Sequence, residues 1–198
     1  MSSAPASLKA RNNTATPAQA TPVPVSRYLV YSIVTIFGCA SDLLSKYWVF
    51  QWRGMPRPGP GNEWWIIEGY VGVETSLNPG ALFGFGKGYG LVFAGLSVVA
   101  IIGICFWLFA RKAANDLLLT FTLSLVSGGI LGNLYDRLGL WKSPDGVWHN
   151  EVRDWILFRW QDHTWPNFNI ADSLLVVGAM LLVWHAFVTP EEPAPLKK

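Results

Sequence analysis

Three aspartates stand at or between the ends of two apolar stretches. Ser127-Gly128-Gly129-Ile130-Leu131-Gly132-Asn133-Leu134-Tyr135-Asp136-Arg137 closes one stretch, Phe168-Asn169-Ile170-Ala171-Asp172 opens the next, and Asp154 lies in the connection. An ionisable side chain in a membrane-crossing segment costs about 2.5–3.5 kcal/mol at mid-bilayer, less near the interface, so it is usually kept for a purpose. If the two ends meet at one membrane face, the three acids converge. Carboxylates that share a site cannot all ionise cheaply, so one keeps its proton while another can take one from water. That is the raw material of an aspartic active site.

Other polar residues surround these acids. Ser124, Gly128, Gly132 and Asp136 recur at i, i+4 and form one line along a helix, which lets a neighbouring helix approach closely. For the glycines alone a packing seam is explanation enough; Asn133, Asp136 and Arg137 together point to a site. Asn133 and Arg137 are themselves i, i+4 and can bond each other or share partners. Asn169 can cap the last apolar helix, with Asp172 facing its positive N-terminus. Asp42 and Lys46, also i, i+4, can neutralise each other in low dielectric; the other reading has Lys46 snorkelling to the surface and Asp42 bracing the site. Ser41 or Ser45 with Lys46 offers a Ser/Lys peptidase, which leaves the three acids unexplained. A polar path through Asp42, Lys46 and Asp136 would suit a transporter, yet four spans without inverted repeats argue against one. His149, His163 and His185 lack the spacing of metal ligands, so no metal or cofactor is expected.

The elements that must position these residues follow from composition. Of 198 residues 51% are hydrophobic and 14% charged, too apolar for a soluble domain. The net charge of +2 forms no basic stripe, which excludes nucleic acid as a partner. Cys39 and Cys105 fall inside predicted spans and suggest neither a disulfide nor a metal. Residues 1–26 are mostly Ala, Pro, Ser and Thr and read as a disordered cytoplasmic tail. Four transmembrane helices are predicted near residues 28–50, 89–110, 117–136 and 170–188 within a peptidase domain over 27–189, followed by a cytoplasmic tail over 190–198. Arg111-Lys112 in the short second connection places that loop and both termini in the cytoplasm, with loops 51–88 and 137–169 outside. Trp64 to Glu74 reads as strand–turn–strand, and Val152–Trp160 as a short strand or helix. Many of the 11 Trp lie in these loops, and most are explained as anchors at headgroup depth.

The combination resembles the lipoprotein signal peptidases, or signal peptidase II, from about residue 28 to 188. Five blocks occur in order: Asp42-Leu43-Leu44-Ser45-Lys46, Asn78-Pro79-Gly80-Ala81-Leu82-Phe83-Gly84, Gly128 to Arg137, Val152-Arg153-Asp154-Trp155, and Phe168-Asn169-Ile170-Ala171-Asp172-Ser173. The resemblance implies an all-α membrane protein of four transmembrane helices with a small extracytoplasmic β-rich layer. It assigns the catalytic pair to Asp154 and Asp172, with Asn133, Arg137 and Asn169 ordering the site, Asn78 and Gly80 near the substrate, and Asp136 structural. The implied reaction is aspartic cleavage of bacterial prolipoproteins just before the diacylglyceryl-modified cysteine. The enzyme would be a monomer among the lipids of the inner membrane. Two departures stand out: residues 139–151 are longer than the family's compact turn, and Trp155 stands where Phe is common.

Overall fold

The computed structural model describes residues 21–57, 61–80 and 88–189. Most of the two expected tails, and positions 81–84 of the second block, lie outside that range.

Four helices are long and apolar enough to cross a membrane. They are α1 (Val25–Arg53), α2 (Gly90–Cys105, running on as a π-helical turn over Phe106–Ala110), α3 (Leu117–Arg137) and α4 (Ile170–Val188). Three of them are apolar almost all round: Ile33, Ile36 and Phe37 on α1, Leu91, Val99 and Ile102 on α2, and Met180, Val183 and Phe187 on α4 are exposed, as suits helices that face lipid. This is a multi-pass membrane protein. α1 runs a turn beyond its apolar stretch and stops at Gly54, whose φ of 80° only glycine adopts readily and whose N–H closes on Phe50 O at 3.0 Å.

α3 is the exception, buried along most of its length between α1, α2 and α4. Its small residues make that possible. A Cβ at Gly128 would lie 3.1 Å from the Thr35 carbonyl of α1, and one at Gly129 would lie 2.5 Å from the Ala171 carbonyl of α4. The expected line Ser124, Gly128, Gly132, Asp136 thus meets Thr35, Gly38, Asp42 and Lys46 rung by rung, and Thr35 Oγ1 donates to Ser124 O at 3.1 Å. At the far end Asp116 caps α3 by accepting from Leu119 N at 2.9 Å, and its other oxygen meets His185 Nε2 of α4 at 2.6 Å.

The opposite end of the bundle carries a sheet, so the all-α description holds only for the membrane part. β-branched and aromatic residues in alternation fold as strands there rather than as helix. β1 (Trp64–Ile67) and β2 (Val71–Asn78) form the expected hairpin. Within the insertion, β3 (Trp141–Lys142) and β4 (Trp148–His149) make a small separate hairpin. β5 (Val152–Trp160) and β6 (His163–Phe168) complete an antiparallel sheet of order β1-β2-β5-β6. The register sets Ser76 opposite Asp154 and Asn78 opposite Val152, which puts Asn78 and Asp154 diagonally adjacent on one face. β6 runs directly into α4, with Asn169 as the joint.

Candidate active site

The site forms where α1, α3, β5 and the start of α4 meet, and a buried lysine organises it. Lys46 is fully buried. Its Nζ lies 2.6 Å from Asp42 Oδ2 and 3.1 Å from Asp136 Oδ2, and it donates to Asn133 Oδ1 at 2.9 Å. An ammonium can only donate, so it fixes which way the Asn133 amide points. The oxygen faces Lys46, and the NH2 therefore faces outward, donating to Asp172 Oδ1 at 2.8 Å.

Asn169 repeats this logic one layer on. Its Oδ1 accepts from Asp172 N at 2.9 Å, while the Asp172 carboxylate returns to Asn169 N at 3.4 Å, a reciprocal cap of α4. With Oδ1 so engaged, Nδ2 is left to donate, to Asp154 Oδ1 at 2.6 Å and to Asn133 Oδ1 at 3.1 Å. Two amides in contact thus hold two carboxylates, Asp172 through Asn133 and Asp154 through Asn169. Asn78 reaches Asp154 from β2. Burial first, and then the charge of neighbouring Asp172, push the Asp154 carboxyl up to about 7.

Asp136 has a different environment. Arg153 gives it Nη2 at 2.6 Å, Nε at 3.2 Å and its backbone N–H at 3.0 Å, and Lys46 closes the other side. Asp42 also accepts from Ala171 N at 2.9 Å. Two acids and two bases make a neutral buried cluster, which is the arrangement that low dielectric tolerates. Gly132 is needed at its centre, because a Cβ there would overlap the Asp42 carboxylate.

A cleft of about 450 Å³ opens beside the amides. Asn133, Asp172 and Arg137 line its polar end, whereas Phe158, Trp165, Phe168, Val176 and Val177 line an apolar lane along β5, β6 and α4. Arg137 donates to Gly80 O at 3.4 Å and feels the charges of Asp172 and Asp154. Among the described residues no group of three or more His, Cys, Asp or Glu could hold a metal ion.

The sequence matches the family described as Signal peptidase (SPase) II over residues 34–188. The chain belongs to the signal peptidase II family. It is 50% identical over 181 residues to the lipoprotein signal peptidase of Rhodopirellula baltica, spanning 90% of this chain and 80% of that relative. The lipoprotein signal peptidase of Pseudomonas putida is 36% identical over 136 residues, 66% of this chain and 74% of the relative. A bacterial membrane enzyme solved by the in meso method at 1.9 Å resolution is similar in fold, with a TM-score of 0.63 at 26% identity over 86% of this chain and 97% of that one.

In this signal peptidase II the acids and amides singled out from sequence gather in one region. Asn133 and Arg137 do not bond each other, since Asn133 is taken up by Lys46, Asn169 and Asp172. Asp42 and Lys46 form the expected neutralising pair, and Lys46 does not snorkel, because Asp42, Asp136 and Asn133 occupy its three protons inside the bundle. The same contacts remove it as a base for serine, and Ser41 and Ser45 bond back to the Phe37 and Asp42 carbonyls of their own helix. Arg153 carries no role in the sequence reading although it stands inside a quoted block. The signal for it was arithmetic: Asp42 and Asp136 with only Lys46 leave one buried negative charge unmatched.

Proposed function

We propose that Asp154 and Asp172 are the aspartic dyad with which this signal peptidase II cuts prolipoproteins just before a diacylglyceryl-modified cysteine. One observation carries the assignment. Of the four acids in the region, Asp42 and Asp136 are locked to buried cations, while Asp154 and Asp172 are held by a contacting pair of neutral amides, with Asp172 lining the cleft and Asp154 buried behind it.

Burial, and then the charge of Asp172, let Asp154 hold a proton up to about pH 7. The Asp172 carboxylate takes a proton from a water as its oxygen bonds to the scissile carbonyl carbon. Asp154 donates to the oxygen of that carbonyl as it becomes an oxyanion. Collapse of the tetrahedral species re-forms the carbonyl and breaks the C–N bond: Asp154 takes its proton back, the cysteine amine leaves with the proton held by Asp172, and the new carboxyl end of the signal peptide gives its proton to water. Asn133 and Asn169 hold the two acids in register throughout, and Arg137 offsets negative charge beside them.

The substrate is lipid-modified, and the site suits it. The apolar lane from Asp172 past Val176 and Val177 accepts acyl chains at about 0.8 kcal/mol per buried methylene. That remote binding energy sets the scissile bond between the acids. The sheet and dyad face the extracytoplasmic side of the inner membrane, with both termini and Arg111-Lys112 in the cytoplasm, and the enzyme acts as a monomer. The test compares two synthetic prolipoproteins differing only in the cysteine lipid, in one detergent, with products read by mass. Much slower cleavage of the unmodified peptide is expected; equal rates at saturation would reject lipid-directed positioning. Thiol labelling of Lys112→Cys from outside intact cells would invert the topology.

A further inference from the structure

None of residues 139–151 lines the cleft, yet one of their side chains packs on the charge cluster beside it. Trp141 is 4% exposed. Its ring packs edge-on to Phe50 of α1 at 5.8 Å and is stacked by His149 at 4.9 Å, and its Nε1–H donates to Glu151 O at 3.1 Å. The Arg153 guanidinium lies over the indole with Cζ 4.7 Å from the ring centroid. The ring therefore covers one face of the guanidinium that grips Asp136.

Arg153 is the residue immediately before Asp154. It is fastened at three points: its side chain and its backbone N–H both bind the Asp136 carboxylate, and its carbonyl meets Asn169 Nδ2 at 3.4 Å. A residue clamped through both side chain and amide has its backbone direction set, and with it the direction of the next side chain. We propose that Trp141 is a positioning residue for the dyad: by keeping water off the Arg153–Asp136 pair, it fixes where Asp154 sits relative to Asp172. The insertion is then a brace for the catalytic strand. Removing the indole lets water compete for the guanidinium, loosens the clamp and allows Asp154 to wander, whereas the acyl lane keeps its side chains, most of them on β6 and α4 and none of them Trp141.

This inference rests on the assignment of Asp154 and Asp172 as the dyad. Turnover of a lipid-modified prolipoprotein is measured for Trp141→Ala, Trp141→Leu, Trp141→Phe and Asp154→Asn in the same detergent. A displacement of about 1 Å costs on the order of 100-fold in rate, so kcat in Trp141→Ala should fall about 10- to 100-fold with KM changed less than about 3-fold. Trp141→Phe, which restores an aromatic face to Arg153, should recover most of kcat, and Trp141→Leu should not. Arg153→Lys should be slow as well, and its combination with Trp141→Ala should be no slower than the worse single variant. A raised KM with unchanged kcat would overturn the brace, as would equal rates for Trp141→Phe and Trp141→Leu. Should Trp141→Ala fail to fold, that Phe-against-Leu comparison decides alone. Activity in Asp154→Asn would sink the dyad assignment, while an inactive Asp154→Asn beside a fully active Trp141→Ala would sink only the brace.

Discussion

Asp154→Asn should do two things at once: abolish cleavage and make the protein more stable at neutral pH. The carboxyl is 2% exposed, and burial beside Asp172 raises it from an ordinary 3.8 to about 7. A carboxyl raised on folding binds its proton more tightly in the native state, so stability falls as pH rises from about 4 to about 7 and is level above that. Between pH 5 and pH 8 this one group removes about 2.5 kcal/mol from the wild type at 1.36 kcal/mol per pH unit. Asparagine keeps the volume, cannot ionise, and can still offer its oxygen to Asn169. The variant should therefore lose that part of the slope. For a chain of this size the difference corresponds to about 5–10 °C in the melting temperature at pH 8, shrinking at pH 5. Intrinsic tryptophan fluorescence during thermal melts in one detergent at both pH values measures it, and the other titrating groups cancel in the comparison. Parallel pH slopes in the two proteins would refute the claim that Asp154 carries a proton inside the site.

The same proton predicts an alkaline limb: kcat/KM of the wild type should decline as pH rises through about 7, and a flat profile to pH 9 would contradict a proton on Asp154. Asp172→Asn should be inactive yet melt within a few degrees of wild type, because asparagine can still cap α4; residual turnover would point to another base. Lys46→Met leaves Asp42 without a cation and should cost about 3–5 kcal/mol, while Lys46→Met with Asp42→Leu should regain stability but not full activity, since Asn133 then keeps only Asn169 to set its oxygen. Gly132→Ala places a methyl on the Asp42 carboxylate and should destabilise by at least about 1–3 kcal/mol, read as lower melting temperature and lower yield of folded protein.

The spans were legible because apolar length is dictated by the bilayer, and the meeting of α1 with α3 was legible because the small residues of α3 fall every fourth position. Two sheet elements were harder. β6 contains Pro166 and mostly polar residues, a pattern that suits an edge strand, where a missing N–H costs no ladder bond, but that does not announce a strand. The β3–β4 hairpin is only two residues a side, too short for alternation to register, although Pro144-Asp145-Gly146 marks its turn and Gly146 takes the expected positive φ of 88°. In the site, residue types and order named the acids, yet which acids pair with cations was beyond the sequence. Asp136 and Asp172 look alike on paper; only the placement of β5, which brings Arg153 to one and Asp154 beside the other, separates them.

The charge cluster also bears on how the chain can assemble. Asp42 and Lys46 lie one turn apart on α1, so this helix enters the bilayer carrying its own counterion and needs no later partner to be tolerated there. Asp136 has no such neighbour on α3; it meets Lys46 when α3 packs on α1, and Arg153 completes its neutralisation with β5. The membrane helices can therefore associate first, and the strand locks on last. That strand also carries Asp154, so under the proposed dyad a chain whose sheet has not docked lacks one of its two acids and is no hazard to the membrane proteins made beside it.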